Sequence, residues 1–125
     1  MNRTGIKKDF LRDKSFEFAL QLVKLYKQLT ADSKEYVLSK QLLRSGTSIG
    51  ACVREAKNAE SKNDFIHKLS IAQKECDESM YWIELLYQSH YLSLPDYENL
   101  SDQALQLIKM IRSSIITTKQ SLTRK

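Results

Sequence analysis

The 125-residue chain is poor in the residues that interrupt regular structure, since it contains one proline and three glycines. A β-sandwich or barrel of this length needs many tight turns, and such turns rely mostly on these two residue types. The scarcity therefore argues against a many-turned β fold and favours a few long helices. The length suits one domain with its own hydrophobic core.

The residues that carry most enzyme and metal chemistry are also few. The two cysteines, Cys52 and Cys76, are too few for a disulfide framework or a four-ligand zinc site, and we interpret them as small buried thiols. A di-iron bundle needs Glu-x-x-His motifs, and the chain has none. No serine lies in a nucleophile-elbow context. We therefore expect no metal, no cofactor and no enzymatic activity.

Long apolar runs are absent as well. No stretch approaches the ~20 apolar residues that a membrane span requires. The N-terminal sequence MNRTGIKKDFLRDK lacks the apolar centre of a secretory signal. We expect a cytoplasmic protein that does not associate with membranes.

The first of four segments with helical periodicity is predicted to begin at an N-cap, either Asp13 or Ser15, and to end near residues 30–33. Its predicted core face has apolar residues three or four positions apart: Phe16, Leu20, Val23 and Leu29. Further apolar residues, Phe18, Leu22 and Leu25, widen this stripe.

Three more helices are predicted downstream. The second runs from about Lys34 to Ala59, the third follows a capping box formed by Ser61 and Asp64, and the fourth begins around Pro95. Their predicted core faces contain Leu38, Leu42, Ser45, Ile49, Cys52 and Ala56, then Phe65, Leu69, Ala72, Cys76, Met80, Ile83 and Tyr87, then Leu100, Ala104, Leu107, Ile111 and Ile115.

The short connections between these helices predict an all-α fold, an antiparallel up-down-up-down four-helix bundle. We expect a single domain over residues 1–125, with basic flexible ends at about 1–12 and 120–125.

The second helix contains two glycines one turn apart in the sequence RSGTSIGACVREA, residues 44–56. A phosphate-binding loop would need a preceding strand and a Lys-Ser or Lys-Thr pair after the second glycine, whereas Ala51 and Cys52 follow here. Each glycine inside a helix costs about 1 kcal/mol relative to alanine. We therefore interpret Gly46 and Gly50 as sites where a neighbouring helix packs close to the backbone.

Residues 41–56, QLLRSGTSIGACVREA, resemble the signature of the four helix bundle protein family, also called the 23S rRNA intervening-sequence protein family. The stretches DFIHKLSIA at 64–72 and YWIELL at 81–86 are similar to the third helix of that family. The resemblance extends from about Phe10 to Thr118. Many members have Asn where Cys52 stands, so any polar role of that Asn does not carry over.

The resemblance implies an antiparallel four-helix bundle that assembles into a ring, typically a pentamer. Members of the family are encoded within intervening sequences of some bacterial 23S rRNA genes. A related branch is a nucleic-acid-binding accessory protein of a reverse transcriptase in diversity-generating retroelements. The implied partners are therefore further copies of the chain, RNA or DNA, and a reverse transcriptase.

Charge is concentrated near both chain ends, since residues 1–14 hold five basic and two acidic residues and residues 112–125 hold four basic and no acidic residues. In an up-down-up-down bundle both termini lie beside the connection between the second and third helices, which predicts one basic end. The opposite end gathers four acidic residues, Glu84, Asp96, Glu98 and Asp102. Candidate phosphate-binding residues are Arg44, Arg54, Lys57, Lys62, Lys119, Arg124 and Lys125.

Two functions fit this charge pattern. In the first, the basic end binds RNA or DNA through phosphates, with an affinity that depends on salt and little on sequence. In the second, the bundle is an oligomeric interaction module, and the charged ends only solubilise it.

A candidate oligomer interface lies on the far side of the third helix. With 100° per residue, the face opposite its core stripe holds Ile71, Glu78, Trp82 and Leu85. A helix that is apolar on two sides is normally buried on two sides. We therefore predict that these four residues contact another copy of the chain, whereas Arg44 and Glu55 on the second helix each meet another helix or another subunit.

Overall fold

A computed structural model describes residues 9–123. It contains four helices, α1 (Phe10–Asp32), α2 (Leu38–Lys57), α3 (Lys62–Gln88) and α4 (Leu94–Thr123), and no strand within the described range. Each helix packs on the next one in the chain, and α1 also packs on α4, so the four helices close a square. None of these four helices combines the length and the apolar character that a membrane span needs. The predicted four-helix bundle is confirmed.

Contacts between α2 and α3 show that neighbouring helices run antiparallel. Ser45 is hydrogen-bonded to Ser79 at 2.9 Å, whereas Glu55, further along α2, pairs with Lys68, which precedes Ser79 on α3. Helices α3 and α4 are antiparallel as well. The Cys76 thiol donates to the Ala104 carbonyl, whereas Tyr87, later on α3, stacks on Tyr97, which precedes Ala104 on α4. The connection between α1 and α2 and the connection between α3 and α4 lie at the same end of the bundle, and both are short.

The core faces predicted for α2, α3 and α4 are largely correct. All five residues predicted for α4 are buried, and so are most of those predicted for α2 and α3. The exceptions are half-buried: Leu38, Cys52, Phe65, Met80 and Tyr87. Next to Cys52, Val53 is the buried residue. Burial raises the pKa of Cys76 to about 12, so this thiol is protonated and packs as a small apolar group. Its interpretation as a buried thiol is confirmed.

The predicted start of α1 is wrong. The N-cap is Asp9, whose carboxylate accepts a hydrogen bond from the Arg12 backbone N–H at 3.0 Å. Asp13 lies inside the first turn, and Ser15 is buried and donates to the Arg12 carbonyl. Helix α1 therefore begins one turn earlier than expected and includes residues 10–12 of the end expected to be flexible. Similarly, α4 includes residues 120–123, which belong to the C-terminal end that was expected to be flexible.

The predicted core stripe of α1 is also wrong, except for Leu29, which is buried. Phe16, Leu20 and Val23 are 47%, 55% and 37% exposed, whereas the residues expected only to widen the stripe, Phe18 and Leu22, are buried. The physical reason is the position of α2, because Phe18 and Leu22 are the side chains that face the backbone at Gly46. This contact rotates the other stripe away from the core.

The two glycines of α2 differ in how closely α1 approaches them. A Cβ atom at Gly46 would collide with Cδ1 of Leu22, a side chain that is only 1% exposed and has little room to move. A Cβ atom at Gly50 would lie 3.5 Å from the Ser15 carbonyl oxygen, an ordinary van der Waals distance. Close packing explains Gly46, and Gly50 lies at a less demanding contact.

Helix α2 begins at Leu38 rather than at Lys34, because Glu35 forms a capping structure in the connection. Lys34 has a φ of 55°, in the left-handed region. The Glu35 carboxylate that follows it lies at the N-terminus of α2. The carboxylate accepts backbone N–H groups of Val37, Leu38 and Ser39 at 3.0, 2.9 and 2.7 Å. Burial opposes ionisation of Glu35, but these three donors outweigh it and lower the pKa of the carboxyl.

Helix α3 has the predicted N-cap. The Ser61 hydroxyl accepts the Asp64 N–H at 3.0 Å, and the Asp64 carboxylate accepts the Glu60 N–H at 3.3 Å. This reciprocal arrangement satisfies two donors at the end of the bundle where α2 turns into α3.

Helices α1 and α4 meet along a polar seam. Gln21 and Gln103 each donate an amide N–H to the carbonyl of the other, at 3.0 and 2.9 Å. Asn99 joins them by donating to Gln21 at 3.2 Å. Neutral amide hydrogen bonds therefore contribute to this side of the square.

We predict that Gly46→Ala lowers the free energy of unfolding by about 1–3 kcal/mol, the range for overpacking a core. Gly50→Ala is the matched control and should leave stability unchanged or raise it by up to about 1 kcal/mol, since alanine favours helix and the added Cβ fits. Urea unfolding followed by circular dichroism measures both. Equal effects of the two changes would contradict this account.

We predict that Glu35→Ala lowers stability at neutral pH by about 1–2 kcal/mol, as loss of a capping side chain does. A carboxyl with a lowered folded pKa stabilises the fold above its unfolded pKa, and this stabilisation is lost as the pH falls through the folded pKa. The difference between variant and wild type should therefore narrow below about pH 4. Glu17→Ala on the exposed surface of α1 is the control. A difference that does not change with pH would contradict the role of the charge.

Candidate nucleic-acid interface

One end of the bundle holds the start of α1, the connection between α2 and α3, and the last turns of α4; we call it the basic end. A surface cleft there is lined by Lys57 and Lys62, which flank the connection, and by Thr117, Thr118 and Ser121 from α4. The antiparallel topology thus brings together the three segments that the sequence predicted to meet.

Lys57 is held by an acidic residue at this end. Its ammonium lies 2.6 Å from the Asp9 carboxylate, which also caps α1. Burial opposes ionisation of Asp9, but Lys57 and the Arg12 N–H outweigh it and lower the pKa of the carboxyl. The positive charge of Lys57 is therefore partly neutralised within the chain, and a bound phosphate would compete with Asp9 for it.

Arg54, Lys62 and Lys119 present their charges more openly. The Arg54 guanidinium lies over the Phe16 ring, 5.0 Å from its centroid, and this contact fixes its position without neutralising it. Lys62 and Lys119 are exposed and form no ion pair with any acidic residue in the range 9–123. The two remaining candidates, Arg124 and Lys125, lie outside the described residues.

Arg44 lies away from the basic end, near the middle of the bundle. Its guanidinium pairs with Glu75 at 3.3 Å and donates to Glu78, both on α3. The hydrogen bond that Arg44 donates to Glu78 outweighs the effect of partial burial and raises the pKa of Arg44. Glu55 likewise pairs with Lys68 of α3 at 3.5 Å. Both residues therefore meet a neighbouring helix, one of the two outcomes expected from the sequence.

The four residues predicted as an oligomer interface lie on the outer face of α3, and each is half-buried. The Trp82 indole N–H donates to the Glu78 carboxylate at 2.9 Å, and this bond together with Arg44 lowers the pKa of Glu78. Tyr81, which is 58% exposed, packs edge-to-face on Trp82 with ring centroids 4.9 Å apart. We call Tyr81, Trp82 and Leu85, with Ile71 and Glu78, the α3 outer face.

Sequence reasoning missed two groups at these surfaces. Tyr81 belongs to the α3 outer face, and its position next to Trp82 could have indicated this. The exposed apolar stripe of α1 was instead assigned to the core, because both stripes of α1 have the same helical spacing.

Within residues 9–123 no three His, Cys, Asp or Glu side chains are grouped so that they could hold a metal ion.

These features define a class of protein, an antiparallel four-helix bundle with a basic end and an apolar outer face on one helix. The model of the 23S rRNA-intervening sequence protein family matches residues 9–113, and the chain belongs to this family.

The chain is also similar to a solved structure, a protein of unknown function from the S23 ribosomal protein family of Bacteroides thetaiotaomicron VPI-5482. The two share 50% sequence identity, the match covers 84% of this chain and 97% of that one, and the TM-score is 0.83. No curated protein matches this chain.

Proposed function

We propose that this protein is a non-enzymatic, cytoplasmic, oligomeric bundle that binds RNA or DNA phosphates at its basic end. The observation that supports the proposal best is the convergence of Arg54, Lys62 and Lys119 on one end of the fold, each with an exposed charged group. Lys57 lines the same cleft as Lys62, next to residues of the last turns of α4.

Such a surface would bind nucleic acid mainly by releasing counterions from phosphates. The cationic groups come from different helices, and the nearby hydroxyls of Thr117 and Ser121 can donate to phosphate oxygens. The affinity is therefore expected to be salt-dependent and nearly independent of base sequence.

Self-association would strengthen this binding, because several basic ends on one assembly act together on one polyanion. The α3 outer face supports self-association. It exposes part of the only tryptophan of the chain, with Tyr81 and Leu85 beside it, and apolar residues grouped in this way commonly mark an interface.

We predict that Lys62→Gln combined with Lys119→Gln weakens binding to generic RNA and duplex DNA and reduces the salt slope. On duplex DNA the slope of log affinity against log salt should fall by about 0.9 for each lost phosphate contact. Fluorescence anisotropy over a salt series measures both quantities. Asp9→Asn should act in the opposite direction, since it releases Lys57.

The matched control is Lys34→Gln with Lys40→Gln, which removes the same charge at the far end of the bundle. It should leave the slope nearly unchanged. Equal losses in the two double variants would mean that net charge, not the basic end, determines binding. No binding even in dilute buffer would favour the interaction-module function.

We predict that the wild type has a solution mass well above 14.5 kDa, the mass of one chain. Trp82→Glu combined with Ile71→Lys should reduce it to the single-chain mass, because the charges would be buried in the interface. Light scattering coupled to size exclusion gives the masses. A wild type that is monomeric, or a double variant that keeps the wild-type mass, would contradict the α3 interface.

A further inference from the structure

Two surface clefts meet at the basic end of the bundle, and Lys57 lines both of them. The first lies between the start of α1 and α4, has a volume of about 580 Å³ and is also lined by Phe10 and Lys109. The second lies between the α2–α3 connection and α4, has a volume of about 520 Å³ and is also lined by Phe65 and Lys62. Each cleft therefore combines an aromatic ring with two basic side chains.

The two clefts are continuous along one face of α4. The α4 residues that line them follow one another at intervals of three or four positions, which places them on the same side of the helix. Thr118 in the second cleft donates its hydroxyl to the carbonyl of Ser114 in the first, at 2.8 Å, so the clefts are one turn apart. This face extends from Lys109 to Ser121, about 18 Å at 1.5 Å rise per residue. We call the two clefts together with this face the α4 groove.

The α4 groove is positively charged. Asp9 is the only acidic residue among its described lining residues, and the Asp9 carboxylate lies 2.6 Å from the Lys57 ammonium. Lys62 and Lys109 are exposed, and neither forms an ion pair with an acidic residue in the range 9–123. Each cleft therefore has one lysine whose charge is directed to solvent and can meet a phosphate.

The two phenylalanines supply apolar surface next to these charges. Phe10 is 59% exposed, and Phe65 is half-buried against the core. Proteins that bind single-stranded nucleic acid without sequence preference combine a basic groove, which follows the backbone, with aromatic side chains on which bases pack. A duplex keeps its bases stacked on one another and offers mainly phosphate and sugar to such a surface. The α4 groove therefore fits a strand whose bases are unpaired.

We propose that the α4 groove binds single-stranded RNA or DNA in preference to duplex. The strand lies along α4, with phosphates at Lys109 and Lys62 and unpaired bases against Phe10 and Phe65. This inference rests on the proposed function, the binding of nucleic-acid phosphates at the basic end. It adds the form of nucleic acid that is bound, and it adds Phe10, Phe65 and Lys109 to the binding residues.

Fluorescence anisotropy with labelled oligo-dT, labelled oligo-rU and a blunt DNA duplex of the same length tests the proposal. The wild type should bind both single strands more tightly than the duplex at equal salt. Phe10→Ala should weaken the binding of oligo-dT by at least about fivefold, the lower end for loss of one stacked base, and the binding of duplex by much less. Lys109→Gln should lower the salt slope on oligo-dT by about 0.7, as the loss of one phosphate contact does.

The controls lie at the far end of the bundle. Tyr36→Ala removes an aromatic side chain that is 54% exposed, close to the exposure of Phe10, and Lys40→Gln removes an exposed lysine. Both should leave the affinity for oligo-dT and its salt slope nearly unchanged. Circular dichroism melts establish that each variant is folded. Phe10→Leu, which removes the aromatic ring and keeps an apolar side chain, replaces Phe10→Ala if the latter loses helix content.

The outcomes separate this inference from the proposed function. If duplex and single strands bind equally tightly, or if either groove variant acts no more strongly than its control, the α4 groove is not a single-strand site, although phosphate binding at the basic end stands. No binding of any probe in dilute buffer would overturn the proposed function itself and this inference with it.

Discussion

The contact of Phe18 and Leu22 with the bare backbone at Gly46 is the constraint on which most of this structure depends. It sets the distance between α1 and α2, and it fixes the rotation of α1 about its own axis. With that rotation Leu20 and Val23 must face outward, and Asp9 comes within reach of Lys57. A larger side chain at this one position would therefore alter the core, the basic end and the outer surface of α1 together.

The positive charge that the basic end presents depends on ion pairs within the chain as well as on the number of basic residues. Asp9 both caps α1 and holds Lys57, and Asp64 completes the cap of α3, so these carboxylates perform structural roles at the positive surface. Arg54, Lys62 and Lys119 are left as the charges directed outward. Arg44, by contrast, links α2 to Glu75 and Glu78 and belongs to the surface between α2 and α3.

The sequence predicts α4 well because it has a single predicted core stripe, so that burial and periodicity agree at residues such as Leu107 and Ile111. Helix α1 has two apolar stripes with the same spacing, and only the position of α2 decides which is buried. Its cap could not be chosen from the sequence either, since Asp9, Asp13 and Ser15 all suit an N-cap.

The capping structure before α2 shows a second reason why a helix boundary could not be predicted from the sequence. Residues 34–37 have helical propensity, but a buried carboxylate that accepts three N–H groups outweighs a few tenths of a kcal/mol of propensity. At the candidate site, the convergence of three basic segments followed from topology alone. The pairing of Lys57 with Asp9 did not, because it joins residues distant in the chain whose proximity depends on the packing of α1.

The amide seam between α1 and α4 has a consequence for how the chain folds. Three sides of the square join helices that are consecutive in sequence, so each can form by closing a short loop. The fourth side joins Gln21 to Gln103 across a separation of 82 residues, and closing a loop of that size carries the largest entropy cost in the bundle. Neutral amides gain little apolar burial in return, so α1 and α4 are the pair that separates most easily when the native ensemble opens.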